Sequence, residues 1–168
     1  MLGYITAEGR GAGDVLLADI ADTLRAQGLS LAGAVQVNRD TDPARKCDMD
    51  LHILSGKDVI RISQNLGTLS SGCRLDPAGL EQAVGLVTAA LDHAPSLLIV
   101  NKYGKQEIDG RGFRPVIGEA LMRDIPVLLS VNAGNEAAFL DFAGELAQQV
   151  PATRDGILSW VSTQAMAA

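Results

Sequence analysis

Apolar and polar positions alternate along the chain in a repeating order of short aliphatic runs and longer amphipathic stretches. Leu2 to Thr6 reads as a strand and is followed by a glycine-rich turn, Gly9-Arg10-Gly11-Ala12-Gly13. A helix from about Asp14 to Gln27 comes next, because Leu16, Leu17, Ile20, Ala21 and Leu24 recur at three-to-four spacing and so share one face. Gly28 suits its end. Leu31 to Val37 is a second strand, with alanine and glycine where a neighbouring chain must approach closely, and the polar stretch Asn38 to Lys46 is an exposed loop. Met49 to Leu54 and Asp58 to Ser63 form a hairpin around Ser55-Gly56, with Leu51, Ile53, Val59 and Ile62 as its apolar positions.

Asp76-Pro77 starts a helix that runs to about His93, since an aspartate caps backbone N–H groups and proline is tolerated at the first helical position. Ser96 to Val100 is a strand, Pro115 to Arg123 a helix and Pro126 to Val131 a strand. Asn135 or Glu136 opens a helix lasting to about Gln149, and Ile157 to Thr163 is a short terminal element. The pattern shows no repeat and no linker. Strands alternating with helices predict a single-domain, three-layer α/β fold with a mostly parallel, doubly wound sheet covered on both faces. Within that fold, ligands bind at the carboxyl edge of the strands.

At 168 residues, with 47% of them apolar, the chain has the length and composition of one domain with a proper core. No stretch approaches the roughly 20 apolar residues that span a bilayer, and the first residues do not form a secretory signal. The expectation is a soluble, cytoplasmic protein in which Cys47 and Cys73 stay reduced. A formal charge of -6 argues against a nucleic-acid partner, and 4% aromatic residues argue against base-stacking platforms. Any anion site must therefore be local.

Two clusters offer one. The aliphatic run Leu97 to Val100 leads directly into Asn101-Lys102-Tyr103-Gly104-Lys105-Gln106-Glu107, with Arg111 between Gly110 and Gly112. Arg61, Ser63, Ser70, Ser71, Gly72 and Arg74 form the second, a set of hydroxyl, backbone and guanidinium donors for a tetrahedral oxyanion. The glycine turn is a third element to test. It stands where a phosphate-binding loop would, after a strand and before a helix, but Glu8 replaces the first glycine, Asp14 the lysine and Val15 the hydroxyl of G-x-x-x-x-G-K-[ST]. Arg10, with Gly11 and Gly13, can still serve an anion over the helix N-terminus. Cys47-Asp48-Met49-Asp50-Leu51-His52 contains metal-ligand types, but strand alternation sends Cys47 to one face and Asp48, Asp50 and His52 to the other. We expect no metal and no cofactor there, and neither His52 nor His93 stands beside a nucleophile motif.

The N-terminal strand and glycine turn, Arg61-Ile62-Ser63-Gln64-Asn65-Leu66-Gly67, Gly72-Cys73-Arg74-Leu75-Asp76-Pro77 and Asn101 to Glu107 with Gly110-Arg111-Gly112 together resemble the bacterial family DUF2478 over nearly the whole chain. That family is similar in layout to the small THEP1-type P-loop nucleoside triphosphatases, and its members occur beside molybdenum-uptake genes. The resemblance implies a strand ending in D-E-x-G-K-x-E, in which the first acid orients magnesium and the second activates water. Here Asn101 and Lys102 replace the two acids, while Gly104, Lys105 and Glu107 match. The resemblance thus implies that metal-dependent hydrolysis is lost and that the ligand is a bare anion, an oxyanion or a nucleotide, with molybdate or a related oxyanion as the most specific form. Two alternatives stay open: a nucleoside triphosphatase or phosphotransferase of unusual mechanism using Glu107 or Glu8 as base, and a structural, homo-oligomeric interaction protein.

Overall fold

The computed structural model describes residues 1–39, 47–67 and 74–167, with side chains up to residue 164. The elements run β1 (Leu2–Ile5), α1 (Ala12–Ala26), β2 (Leu31–Arg39), β3 (Asp48–Ile53), β4 (Val59–Arg61), α2 (Pro77–Ala90), β5 (Leu97–Tyr103), α3 (Lys105–Ile108), α4 (Arg114–Met122), β6 (Val127–Val131), α5 (Glu136–Ala143), β7 (Ala147–Gln149) and α6 (Arg154–Ala167). The strands make one seven-stranded sheet in the order β4-β3-β2-β5-β6-β1-β7. β2, β5, β6, β1 and β7 are parallel, and the expected hairpin β3-β4 adds to the β2 edge antiparallel. This is the three-layer, mostly parallel α/β fold that the sequence pattern predicts.

Alternation along β5 explains both layers. Leu97 and Ile99 pack with Leu17, Ile20 and Leu24 of α1 and Ile157 of α6, whereas Leu98 and Val100 pack with Leu80 and Val87 of α2, Ile117 of α4 and Phe139 of α5. A strand covered on both faces needs an unbroken aliphatic run, which is why period-two patterning is absent there. Gly33 has φ +113°, and a Cβ at that position would overlap the carbonyl oxygen of Ile99, its partner on β5. Trp160 lies across Gly3, where a Cβ would stand 2.7 Å from the indole ring.

β2 runs two residues past the expected Val37, to Arg39, because Asn38 and Arg39 pair with β3 instead of opening a loop, and four other features depart from expectation. β5 continues to Tyr103 instead of ending at Val100, because Asn101 finds buried hydrogen bonds and Tyr103 packs its ring 5.3 Å from that of Phe139 and 5.4 Å from that of Phe142. The helix that begins at Glu136 stops at Ala143, since Gly144 takes φ +54°, and the chain then adds the edge strand β7 beside β1. The terminal element is a full helix, anchored by the Trp160 indole N–H donating to Gln148 Oε1 at 2.9 Å. In the hairpin, Ile60 opposite Leu51 takes the inward position, leaving Val59 on the outer face at 45% exposure.

Candidate functional site at the carboxyl edge of the sheet

After β1 the chain turns through Gly9 (φ +92°) and Gly11 (φ +76°), both left-handed conformations that favour glycine. Gly11 caps α1, and no side chain caps the helix N–H groups. Gly13 approaches Ser130 of β6 closely, with room for a Cβ only at 3.4 Å from the serine Cβ. Arg10 is exposed on the crest of the turn. The Thr6 hydroxyl, at the carboxyl end of β1, is buried without a hydrogen-bond partner.

Asp14, in the first turn of α1, is 6% exposed. A carboxylate that far from water must be paired or fully hydrogen-bonded. Asn101 Nδ2 donates to its Oδ1 at 2.8 Å, Asn38 Nδ2 to its Oδ2 at 3.4 Å, and Lys102 Nζ stands 3.6 Å from Oδ1. Asn101 is fixed in turn: its Oδ1 accepts from the backbone N–H of Gln36 at 2.9 Å, and the Ser130 hydroxyl donates to its backbone carbonyl. Gln36 Nε2 donates to Asn38 Oδ1 at 2.8 Å. Four buried polar residues, Asp14, Gln36, Asn101 and Ser130, thus join α1, β2, β5 and β6 in one network under the glycine turn. Among the described cations of the two basic clusters, Lys102 is the one paired with Asp14 in the first turn of α1.

The segment beyond β5 is braced from inside. Glu107 is 4% exposed, and its two oxygens accept from the N–H groups of Gly104 at 2.9 Å and Phe113 at 3.1 Å. Its carboxylate holds the loop in shape, with both oxygens on backbone donors. The Gly112 N–H donates to Glu81 of α2 at 3.1 Å, and Arg114 lies over the Phe142 ring at 4.7 Å while donating to the carbonyls of Glu107 and Ile108. Lys105 is exposed at the start of α3, and the exposed Arg111 pairs with Asp109 at 3.5 Å. Near the same sheet edge, Tyr4 donates to Glu136 Oε1 at 3.1 Å; burial first, then that carboxylate, raises the phenol above its ordinary range.

Arg61 belongs elsewhere. It sits on the edge strand β4, with Nε 2.9 Å from Asp50 Oδ1 and Nη1 3.0 Å from Asp48 Oδ2, and Arg39 adds a contact of 3.4 Å to Asp50. Ser63 Oγ accepts from the Met49 N–H at 3.1 Å and lies 3.3 Å from Asp48 Oδ1, and Arg74 donates to the Cys47 carbonyl at 2.8 Å. Ser70, Ser71 and Gly72 lie outside the described residues, as does Cys73. Among the described residues, no group of three or more His, Cys, Asp or Glu side chains is placed to hold a metal ion.

The hydrogen bond from Arg61 chiefly holds the Asp50 carboxyl below the usual carboxylate range, against the opposing effect of burial. A lowered folded-state value stabilises above the unfolded carboxylate range, near pH 4, and the contribution is lost as pH falls further. Arg61→Met should accordingly lower Tm at pH 7, with the gap to wild type closing as pH approaches 3. A constant gap across that range would assign the loss to packing instead of charge.

Sequence reasoning picked out Asn101 and Lys102 but missed Gln36, Asn38, Ser130 and the pairing role of Asp14. Amides within or at the end of an otherwise aliphatic strand were the available signal, Gln36 and Asn101 being buried and Asn38 exposed.

A parallel sheet with a glycine turn opening a helix at its carboxyl edge, backed by a buried polar network, defines an α/β protein with a strand–turn–helix unit in the position of a phosphate loop. Residues 2–160 match the model of the family described as "Protein of unknown function (DUF2478)", and the chain belongs to that family. It is also 34% identical over 148 residues, 88% of its length, to the Molybdenum import ATP-binding protein ModC 2 of Bradyrhizobium diazoefficiens. The chain spans 16% of that relative's length. No solved structure matches. No helix among the described residues is long and apolar enough to cross a membrane.

Proposed function

We propose that this chain is a non-hydrolysing receptor for a small anion, held at the opening of α1 by Arg10, the Gly11–Gly13 backbone and Lys102, with molybdate or a related tetrahedral oxyanion as the ligand. The observation that carries this reading is the arrangement at the first turn of α1. Helix N–H groups without a side-chain cap open toward the side of α1 that Lys102 reaches from β5, and Asn101 and Lys102 stand where the resemblance implies an acid that orients magnesium and an acid that activates water. Uncapped N–H groups and a nearby ammonium attract an anion. An amide is a poor anchor for magnesium, and an ammonium cannot act as a carboxylate base.

Molybdenum enters through the relative whose name states molybdenum import, since that protein carries a segment similar to nearly all of this chain. The same name states ATP binding, which supports a nucleotide as the second reading. Against hydrolysis by an unusual route stands Glu107, whose two oxygens already accept from backbone N–H groups.

Thermal shift with molybdate, tungstate, sulfate, phosphate and ATP, each with and without magnesium, tests the proposal. A ligand at a hundred times its Kd stabilises by about 2.7 kcal/mol. Molybdate or tungstate should raise Tm without magnesium, and magnesium-dependent phosphate release from ATP would overturn the receptor reading. Changing Lys102 and Lys105 together to alanine should remove the anion-induced shift while the protein stays folded. An undiminished shift in that double variant would move the ligand away from this loop.

A further inference from the structure

We propose that the cleft at the amino edge of the sheet, at the opposite end of β2 and β5 from Asn101, is a second binding site, and that it takes a small monocarboxylate with an apolar body. The cleft has a volume of about 450 Å³ and lies between the ends of α1 and α2 and the β3–β4 turn. Small-molecule sites of roughly 300–1,000 Å³ combine an apolar floor with a few polar groups that orient the ligand. Leu31, Leu54, Ala90 and Pro95 give this cleft a buried floor, and Arg25, Ser55 and His93 stand exposed on its rim. Among the described residues no Asp or Glu lines it, in a chain whose formal charge is -6.

The charge on the rim is not spent within the fold. Arg25 lies in the last turn of α1, where a cation often serves the final helix carbonyls. Here the backbone serves them: the carbonyls of Thr23, Leu24 and Arg25 accept from the N–H groups of Gln27, Leu29 and Gly28 at 3.1, 3.0 and 2.9 Å. The guanidinium reaches instead from α1 to the β3–β4 turn, where its Nη2 donates to the Gly56 carbonyl at 3.1 Å, and it makes no ion pair among the described residues. On the other wall Ala94 takes φ +47°, a left-handed conformation uncommon for a residue with a side chain, between the lining residues His93 and Pro95. Its N–H donates to the Leu91 carbonyl at 3.1 Å, and this tight turn sets Pro95 in the floor while His93 stays on the rim. One guanidinium suits one negative charge, and its planar fork matches a carboxylate. The carbonyl ends of α1 and α2 beside the cleft disfavour a ligand of higher charge. An apolar body is held by the surface that Leu31, Leu54, Ala90 and Pro95 take from water with it.

The test is an amide chemical-shift titration of the full chain with benzoate and with its neutral isostere benzamide. Benzoate should move the Leu31, Leu54 and Ser55 signals saturably, and benzamide should bind at least ~10-fold more weakly, because it offers no charge to Arg25. Arg25→Gln should lower benzoate affinity ~10-fold while leaving that of benzamide unchanged. That variant gives up a single hydrogen bond at an exposed residue, and the comparison of the two probes on wild type decides the matter without any variant. Benzoate shifts that do not saturate, or that fall only on the glycine turn, overturn the proposal. Equal binding of benzoate and benzamide overturns it as well, as does an undiminished benzoate affinity in folded Arg25→Gln protein. The receptor reading at the other edge of the sheet stands or falls separately, on its own titration with molybdate.

Discussion

Gly33→Ala should cost this protein about 4 kcal/mol and about 10 °C in Tm. The argument begins with the backbone. At φ +113° an L side chain is strained by roughly 1–3 kcal/mol before any neighbour is considered. Here the neighbour is worse: the added methyl overlaps the Ile99 carbonyl, a backbone group of the central strand that cannot rotate away. Moving β2 from β5 to make room would break the parallel register Leu31↔Leu97 through Ala34↔Val100 and open both layers of the core, since Ala32 and Ala34 are buried on one face and Leu31 and Val35 on the other. Overpacking of that kind adds about 1–3 kcal/mol. Circular dichroism against temperature checks it, and a variant melting within a few degrees of wild type would show that β2 can bulge at this position without penalty. The same loss should pass to the site, because Gln36 and Asn38 hang on this strand.

What the sequence revealed and what it hid divide along a physical line. Aliphatic runs such as Leu97 to Val100, with helices of three-to-four spacing between them, announce a doubly wound sheet because burial on both faces leaves no other use for them. Polar continuation of a strand sends no such signal. Asn101 and Lys102 read as the start of a loop, and only the donor on β2 and the acceptor on α1 make it favourable for β5 to run on. β7 was hidden for a similar reason, being three residues of Ala-Gln-Gln on an edge with one bonded side.

For the site, motif spacing singled out Asn101, Lys102 and Glu107, but partners far apart along the chain depend on topology. Lys102 meets Asp14 only because β5 and β1 lie on either side of β6. Arg61 shows the opposite outcome: it looked like an oxyanion donor, yet Asp48 and Asp50, two apart on one strand face, take up its guanidinium. Alternation along β3 put those two acids on one face in advance, and only the hairpin register Asp50↔Arg61 was needed to complete the pairing.

Asn101→Asp should be the most damaging isosteric change at the site, costing about 3–5 kcal/mol at pH 7 by leaving buried charge uncompensated. It puts an acid into a network built for an amide. The new carboxylate keeps the acceptor for the Gln36 N–H and loses the donor to Asp14, so that two buried carboxylates face each other across what was a 2.8 Å hydrogen bond. Lys102 alone, at 3.6 Å and partly exposed, cannot balance both. Two such groups relieve the repulsion by sharing a proton, which the folded variant then holds more tightly than the unfolded chain does. Stability of the variant should therefore fall as pH rises from 5 to 8, a slope that reports the extra proton bound in the folded state. Pairing the change with Asp14→Asn reverses donor and acceptor across the same gap and should restore most of the lost stability. A single variant as stable as wild type at pH 7, or a double variant no better than the single, would mean that Asn101 does not hold Asp14. The reciprocal exchange rests on one rule: a carboxylate buried on α1 requires a donor facing it from β5.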